Sequence, residues 1–389
     1  MAATDDFSLV LGGPLFHLWL GTRLSGGNLE LLRRRIITMV LVTWMPLFLL
    51  ASSEGHAWPG TARLPFLLDA EQHLRLLLAL PLLIFGELLV HRRVRSIVQQ
   101  FRDLIPDSAR ARFNAAVTSA RRLRDASAAE LVLIAFVYGF GVPYFWRNYG
   151  ALDVVSWYGI IVAGRFHPSL AGWWLGCVSL PVLQFLLLRW YFRLFIWMRF
   201  LWQVSKIELG LVPSHPDKCG GIGFLSLVQG AFAPLVLAQG ILLCGLIANR
   251  VFFAGARLPD FLVDIVVILA VAVSVIFVPL LVFAPQLNEA AATGMREYGA
   301  LAQQYVRDFD QKWLRRTGSI GEPLLGNADI QSLADLSSSF EIVQEMRSVP
   351  FTVRDVLQLG AIALVPILPL MLTMLSLREL LERIIRLLF

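Results

Sequence analysis

Long apolar runs recur along this chain, several of them close to the ~20 residues that carry a helix across a ~30 Å hydrocarbon core, and they leave little choice of fold. Inside a bilayer each backbone amide must find its partner within its own segment, which for runs of this length means helix. Arginines flank the runs unevenly: Arg33, Arg34 and Arg35 precede the first, and HRRVR at 91–95 closes the second. A bias of basic residues towards one side of the membrane fixes orientation, so the start of the first run is expected in the cytoplasm. The sequence therefore predicts an all-α polytopic transmembrane bundle of six to seven spans with a helical cytoplasmic portion, in the cell (inner) membrane with its N-terminus cytoplasmic.

Composition agrees. Of the 389 residues 57% are hydrophobic, above the ~45–50% of soluble domains, and the excess is expected to face lipid. The net charge of +6 sits beside apolar runs, where topology accounts for it, and nucleic-acid binding is not expected. Only three basic residues are lysines (Lys206, Lys218, Lys312), a skew that weakens any functional claim for one arginine. Cys177, Cys219 and Cys244 are far apart and imply no disulfide framework.

Six regions follow. Residues 1–35 read as an interfacial segment, retained because Asp5 and Asp6 stand where a secretory signal would be basic. Residues 36–90 form a transmembrane hairpin with its tip outside. Residues 91–129 hold nine arginines, and Phe113, Val117, Ala120 and Leu123 recur at helical spacing, which predicts a cytoplasmic helical hairpin broken at Pro106–Ser108. Residues 130–285 supply four spans around a cytoplasmic loop at 203–223. Residues 286–355 drop in hydrophobicity and read as a cytoplasmic helical module, with Thr352 and Asp355 as a capping box. Residues 356–389 combine an apolar run holding Pro366 and Pro369, which crosses with a kink or re-enters, with an amphipathic tail.

The strongest chemical candidate is SHPDKCGGIGF at 214–224, where His215, Asp217, Lys218 and Cys219 precede Gly220, Gly221 and Gly223 at the start of a span. Glycines there let free amides reach an anion or lipid headgroup at a helix N-terminus. His215, Asp217 and Cys219 are too few ligands for a metal by themselves, so neither metal nor cofactor is expected. HPDK matches the signature tripeptide of J-domain co-chaperones, yet Gly210 and Pro213 interrupt the helical approach which that family needs.

Polar groups inside apolar runs are functional flags in membranes. Here they are Glu87, placed to pair with His91 or Arg92, Gln184, Gln229, Gln239 and Asp264. Arg189, Arg193, Trp190, Trp197 and Trp202 read as interfacial anchors. No midplane carboxylate stands out, which argues against a proton-coupled pump. Pro143, Pro181, Pro279, Pro366 and Pro369, with Gly139 and Gly141, mark helix breaks.

Kinked spans with few buried charges fit a channel or passive transport protein for a small solute or ion. Two alternatives remain: a membrane scaffold recruiting a cytoplasmic protein partner, and a membrane enzyme using the 214–224 loop. The bilayer itself is the first partner, and a homo-oligomer is expected of a channel.

Overall fold

The computed structural model describes residues 7–13, 31–149, 156–162, 165–315 and 327–371. Seven of its helices are long and apolar enough to cross a membrane, and the chain is an all-α, multi-pass bundle. The membrane candidates are α1 (Leu32–Ser53), α2 (Ala70–Leu104), α4 (Ser127–Arg147), α5 (Leu170–Val204), α6 (Gly223–Ala254), α7 (Leu258–Leu314) and α9 (Val353–Met371). Between them lie α3 (Arg110–Arg124) and α8 (Ala328–Gln344). A small antiparallel ribbon, β1 (Gly159–Val162) with β2 (Arg165–Pro168), joins α4 to α5. Most of the N-terminal segment and the whole amphipathic tail from 372 onward lie outside the described residues.

Helix α6 is the axis. Its apolar window is 72% buried against 17% for α1 and α4, as expected of a helix apolar on every side. Small residues let neighbours approach its backbone: a Cβ on Gly240 would lie 2.1 Å from the Ala363 carbonyl oxygen of α9, and one on Gly245 3.0 Å from Glu71 Cα of α2. Close backbone approach is how membrane helices gain packing energy when hydrophobic transfer no longer separates helix from lipid.

Prolines set the irregularities. A π-turn precedes three of them: Leu74–Ala79 before Pro81, Val137–Gly141 before Pro143, and Leu175–Ser179 before Pro181. A proline ring clashes with the carbonyl four residues back, and a widened turn relieves the clash. The carbonyl that Pro181 cannot serve, on Cys177, accepts instead from the Tyr138 hydroxyl of α4 at 3.1 Å. Pro279 and Pro366 sit in tight 3₁₀ stretches, Val278–Phe283 and Val365–Ile367. Pro369 lies in the short helix Leu368–Met371 that follows the second of them, and α9 runs on through Met371 beside α6 and α7.

The basic run at 91–95 does not end α2, which continues as helix to Leu104 and stops at Ile105–Pro106. Helix α3 restarts there and lays Phe113, Ala116, Val117 and Ala120 against α5. Phenylalanines tie this end together: Phe101 meets Phe224 at 5.1 Å and Phe283 at 5.9 Å, while Phe200 meets Phe7 at 5.4 Å and Phe113 at 6.1 Å. From the same end α7 runs on as one helical column to Leu314, about 45 Å past Ala284 at 1.5 Å per residue. Helix α8 packs along this extension to form an arm.

Candidate functional site

Two places collect the polar chemistry. The first lies inside the bundle near its arginine-rich end, where α1, α2, α4 and α5 meet. Glu87 of α2 pairs through Oε2 with Arg35 in the first turn of α1. Its Oε1 lies 2.8 Å from Arg193 Nη2 and 3.4 Å from Arg189 Nη1, both on α5. Glu130, in the first turn of α4, accepts from Arg189 Nε at 3.1 Å. All five side chains are buried, Arg35 and Glu87 to 1% exposure and Arg193 to 3%. Burying charges in this way is tolerated only where each finds opposite charge and hydrogen bonds.

Local structure explains the convergence. On α5 the buried positions Leu186, Arg189, Trp190, Arg193, Trp197, Phe200, Leu201 and Val204 form one helical stripe, and the arginines lie on it. Tyr191, Phe195, Met198 and Trp202 point away. Arg189, Arg193, Trp190 and Trp197 are thus turned into the protein, in place of the interfacial aromatic and arginine belt the sequence suggests, and Trp202 alone of the five is exposed. Glu87 does not pair with Arg92, which is exposed. His91 Nδ1 instead meets Ser8 Oγ at 2.8 Å. The absent midplane carboxylate is also qualified, since Glu87 and Glu130 are buried among membrane helices.

Residues 7–13 close this end. Phe7, Ser8, Leu9 and Val10 are buried, and Arg124 Nη1 donates to the Ser8 carbonyl at 2.6 Å. Arg124 also holds Asp125 through Nε and Nη2 at 2.8 and 2.7 Å. Between Leu9, Gly12, Arg124, Glu130, Arg189 and Arg193 lies a crevice whose interior is about the size of one water. Arg193 faces it, and its Nη2 makes no hydrogen bond although Glu87 lies 2.8 Å away, because the approach is off the N–H direction.

The second place is the 205–222 loop. Asp217 Oδ1 accepts from the amides of Cys219 at 2.8 Å and Gly221 at 3.1 Å, and Oδ2 from Gly223 at 2.8 Å. Two of the three glycine amides, those of Gly221 and Gly223, are thus engaged by the loop's own carboxylate. Burial works to raise the Asp217 pKa, but these amides and His215, whose Nδ1 lies 2.8 Å from Oδ1, outweigh it and hold the group below the usual carboxylate range. Cys219 is buried, and burial pushes its thiol up to about 11, so it stays protonated. Gly220 and Gly221 adopt positive φ, as does Lys218.

This loop joins the bundle to the arm. Lys218 pairs with Glu345, Arg347 donates its backbone N–H to the Lys218 carbonyl at 2.7 Å and Nη2 to the Asp217 carbonyl at 2.8 Å, and Tyr298 donates to Ser214 Oγ at 2.7 Å. Among the described residues no group of three His, Cys, Asp or Glu is placed to hold a metal.

The remaining polar candidates are dispersed. Gln229 Nε2 donates to Asp355 at 2.8 Å, beside the Thr352–Asp355 capping box, which is formed. Gln239 meets the Tyr191 hydroxyl at 2.5 Å. Gln184 Oε1 is buried without a hydrogen-bond partner among the described residues. Asp264 is exposed near the start of α7. Sequence reading missed Arg35 and Glu130 as members of the ion cluster; the four-residue spacing of Arg189 and Arg193 on the stripe of Trp197 and Leu201 is the signal that locates half of it. Comparison with known protein families, with curated proteins and with solved structures finds no match for this chain.

Proposed function

We propose that this protein is a passive transport protein for a small solute or ion in the cell (inner) membrane, with the arginine-rich end and the arm in the cytoplasm. The observation that carries this reading is the buried cluster of Arg35, Glu87, Glu130, Arg189 and Arg193. Ionisable groups among membrane helices are costly, and by default they mark a solute path or binding site. The axis is filled by α6, so the route runs beside it, along the α5 face where the crevice lies. The π-turns in α2, α4 and α5 supply the local bends such sites often use.

Reconstitution in liposomes tests the reading. Flux of an ion or small solute above protein-free vesicles, altered in Glu87→Gln at equal reconstitution, is the expected result. Vesicles that stay tight to every gradient tried would overturn it.

One observation favours a second reading, recruitment of a protein partner or another copy. Among the described residues of the arm only Leu287, Gly294 and Val343 are buried, while Leu301, Val306 and Leu314 are exposed. Helices owe most of their stability to packing of an apolar face. Native mass spectra in mild detergent showing a second protein chain, lost in a Leu301→Glu/Val306→Glu variant, would support recruitment; a monomer in both proteins would exclude it.

A further inference from the structure

We infer that the crevice against α5 is a binding site for one small oxyanion, a carboxylate or phosphate group held by the Arg193 guanidinium. The inference rests on the transport reading for its physiological role, and names the class of solute.

Arg193 is 3% exposed, faces the crevice, and leaves Nη2 without a hydrogen bond. Its contacts are the off-line ion pair with Glu87 and the Trp190 ring, 5.4 Å from the guanidinium carbon. Glu87 is divided: its two oxygens face Arg35, Arg189 and Arg193 at once. The other cations at the crevice are committed, Arg124 to Asp125 and the Ser8 carbonyl and Arg189 to Glu130 and Glu87. Arg193 is therefore the group there with donor capacity to give, and a buried charged donor without a hydrogen bond calls for an acceptor.

Chemistry selects that acceptor. A guanidinium presents its N–H groups as a planar fork that matches a carboxylate or phosphate with two parallel bonds. Cations are repelled by the surrounding guanidiniums, and Glu130, which also lines the crevice, is already engaged by Arg189 at 3.1 Å. The apolar sides of Phe192 and Ile196 complete the wall and lower the local dielectric, which strengthens the ion contact. The interior is about the size of one water, so it takes a single oxygen of one small group, the rest of which stands at the open mouth. That group comes either from a free anion or from the headgroup of an acidic phospholipid.

The test uses the full chain purified in mild detergent, titrated with sodium phosphate and with sodium formate by calorimetry. A parallel native mass spectrum scores retained phosphatidylglycerol. The variant is Arg193→Lys, which keeps the charge and removes the fork, with thermal unfolding confirming that it is folded. Saturable binding of one phosphate or formate, weakened about tenfold or more in the variant, establishes the site with a free anion as occupant. One phosphatidylglycerol per chain, retained by the wild type and lost by the variant, establishes it with a headgroup as occupant. Neither binding nor retained lipid in the wild type, or equal values in both proteins, overturns it. Binding without flux in liposomes would sink the transport reading and leave the site standing; flux without Arg193-dependent binding would do the reverse.

Discussion

At the scale of single residues, Glu87 is the keystone of the buried cluster because one carboxylate serves three guanidiniums. Removing its charge leaves Arg35, Arg189 and Arg193 facing each other at low dielectric, and breaking a buried pair costs about 3–5 kcal/mol. Glu87→Gln is therefore expected to lower the unfolding temperature in detergent sharply, whereas Arg112→Ala, on an exposed position of α3, stays within about ±0.5 kcal/mol. Equal unfolding of the two variants would contradict the pairing. Asp217 gives a pH prediction. Its folded-state pKa is depressed, so it stabilises the loop above the unfolded value of ~3.9, and the contribution is lost as pH falls through the lower folded value. Hydrogen exchange at the amides of Cys219, Gly221 and Gly223 reads this: protection at neutral pH falls in Asp217→Asn, and in the wild type below about pH 4 relative to amides of α6. Glu87 was legible as an intramembrane charge. Its partners were not, because Arg35 lies 52 residues before it and Arg189 102 after, and only tertiary packing brings them together.

At the scale of elements, apolar length and proline position carried most of the information. The positions of all seven candidate spans are readable from hydropathy, and Pro143, Pro181, Pro279 and Pro366 each fall at or beside a change of helical pitch. The end of α2 was harder to read, since the run at 91–95 changes polarity without breaking a helix, and the stop comes where Ile105 turns extended ahead of Pro106. Packing distances are invisible to sequence, and glycines show it. A Cβ at Gly240 would run into the Ala363 carbonyl, while one at Gly230 on the same helix meets nothing within 4 Å. Gly240→Ala forces α9 away from α6 at a cost of about 1–3 kcal/mol. Gly230→Ala gains about 0.5–1 kcal/mol from reduced backbone freedom. Chemical unfolding of the two single variants in one detergent distinguishes them, and a neutral Gly240→Ala would mean that the two helices are not in backbone contact.

At the scale of the whole molecule, the order of crossings and the distribution of charge make one joint statement. Counting spans from α1, the 54–69 loop, the β1–β2 ribbon and the 255–257 turn share one end of the bundle. Helix α3, the 205–222 loop and the arm share the other. The second end holds most of the arginines, and the orientation we propose follows from the positive-inside rule, which would put that end in the cytoplasm. Seven crossings then bring Met371 to the end opposite Leu32. Hydropathy gives this alternation, but not the filled axis at α6, because a helix apolar all round reads the same whether protein or lipid surrounds it. Single cysteines placed in a chain whose own three are changed to alanine test the arrangement. Thr61→Cys and Arg257→Cys, both at exposed positions of the first end, are expected to react with an impermeant maleimide added to intact cells. Ser337→Cys, exposed on α8, is expected to react only after the membrane is opened. The opposite pattern would invert the orientation while keeping the fold. Labelling of Thr61→Cys and Ser337→Cys from the same side would break the alternation itself, and with it the proposed placement of the arginine cluster at the cytoplasmic end of a transport route.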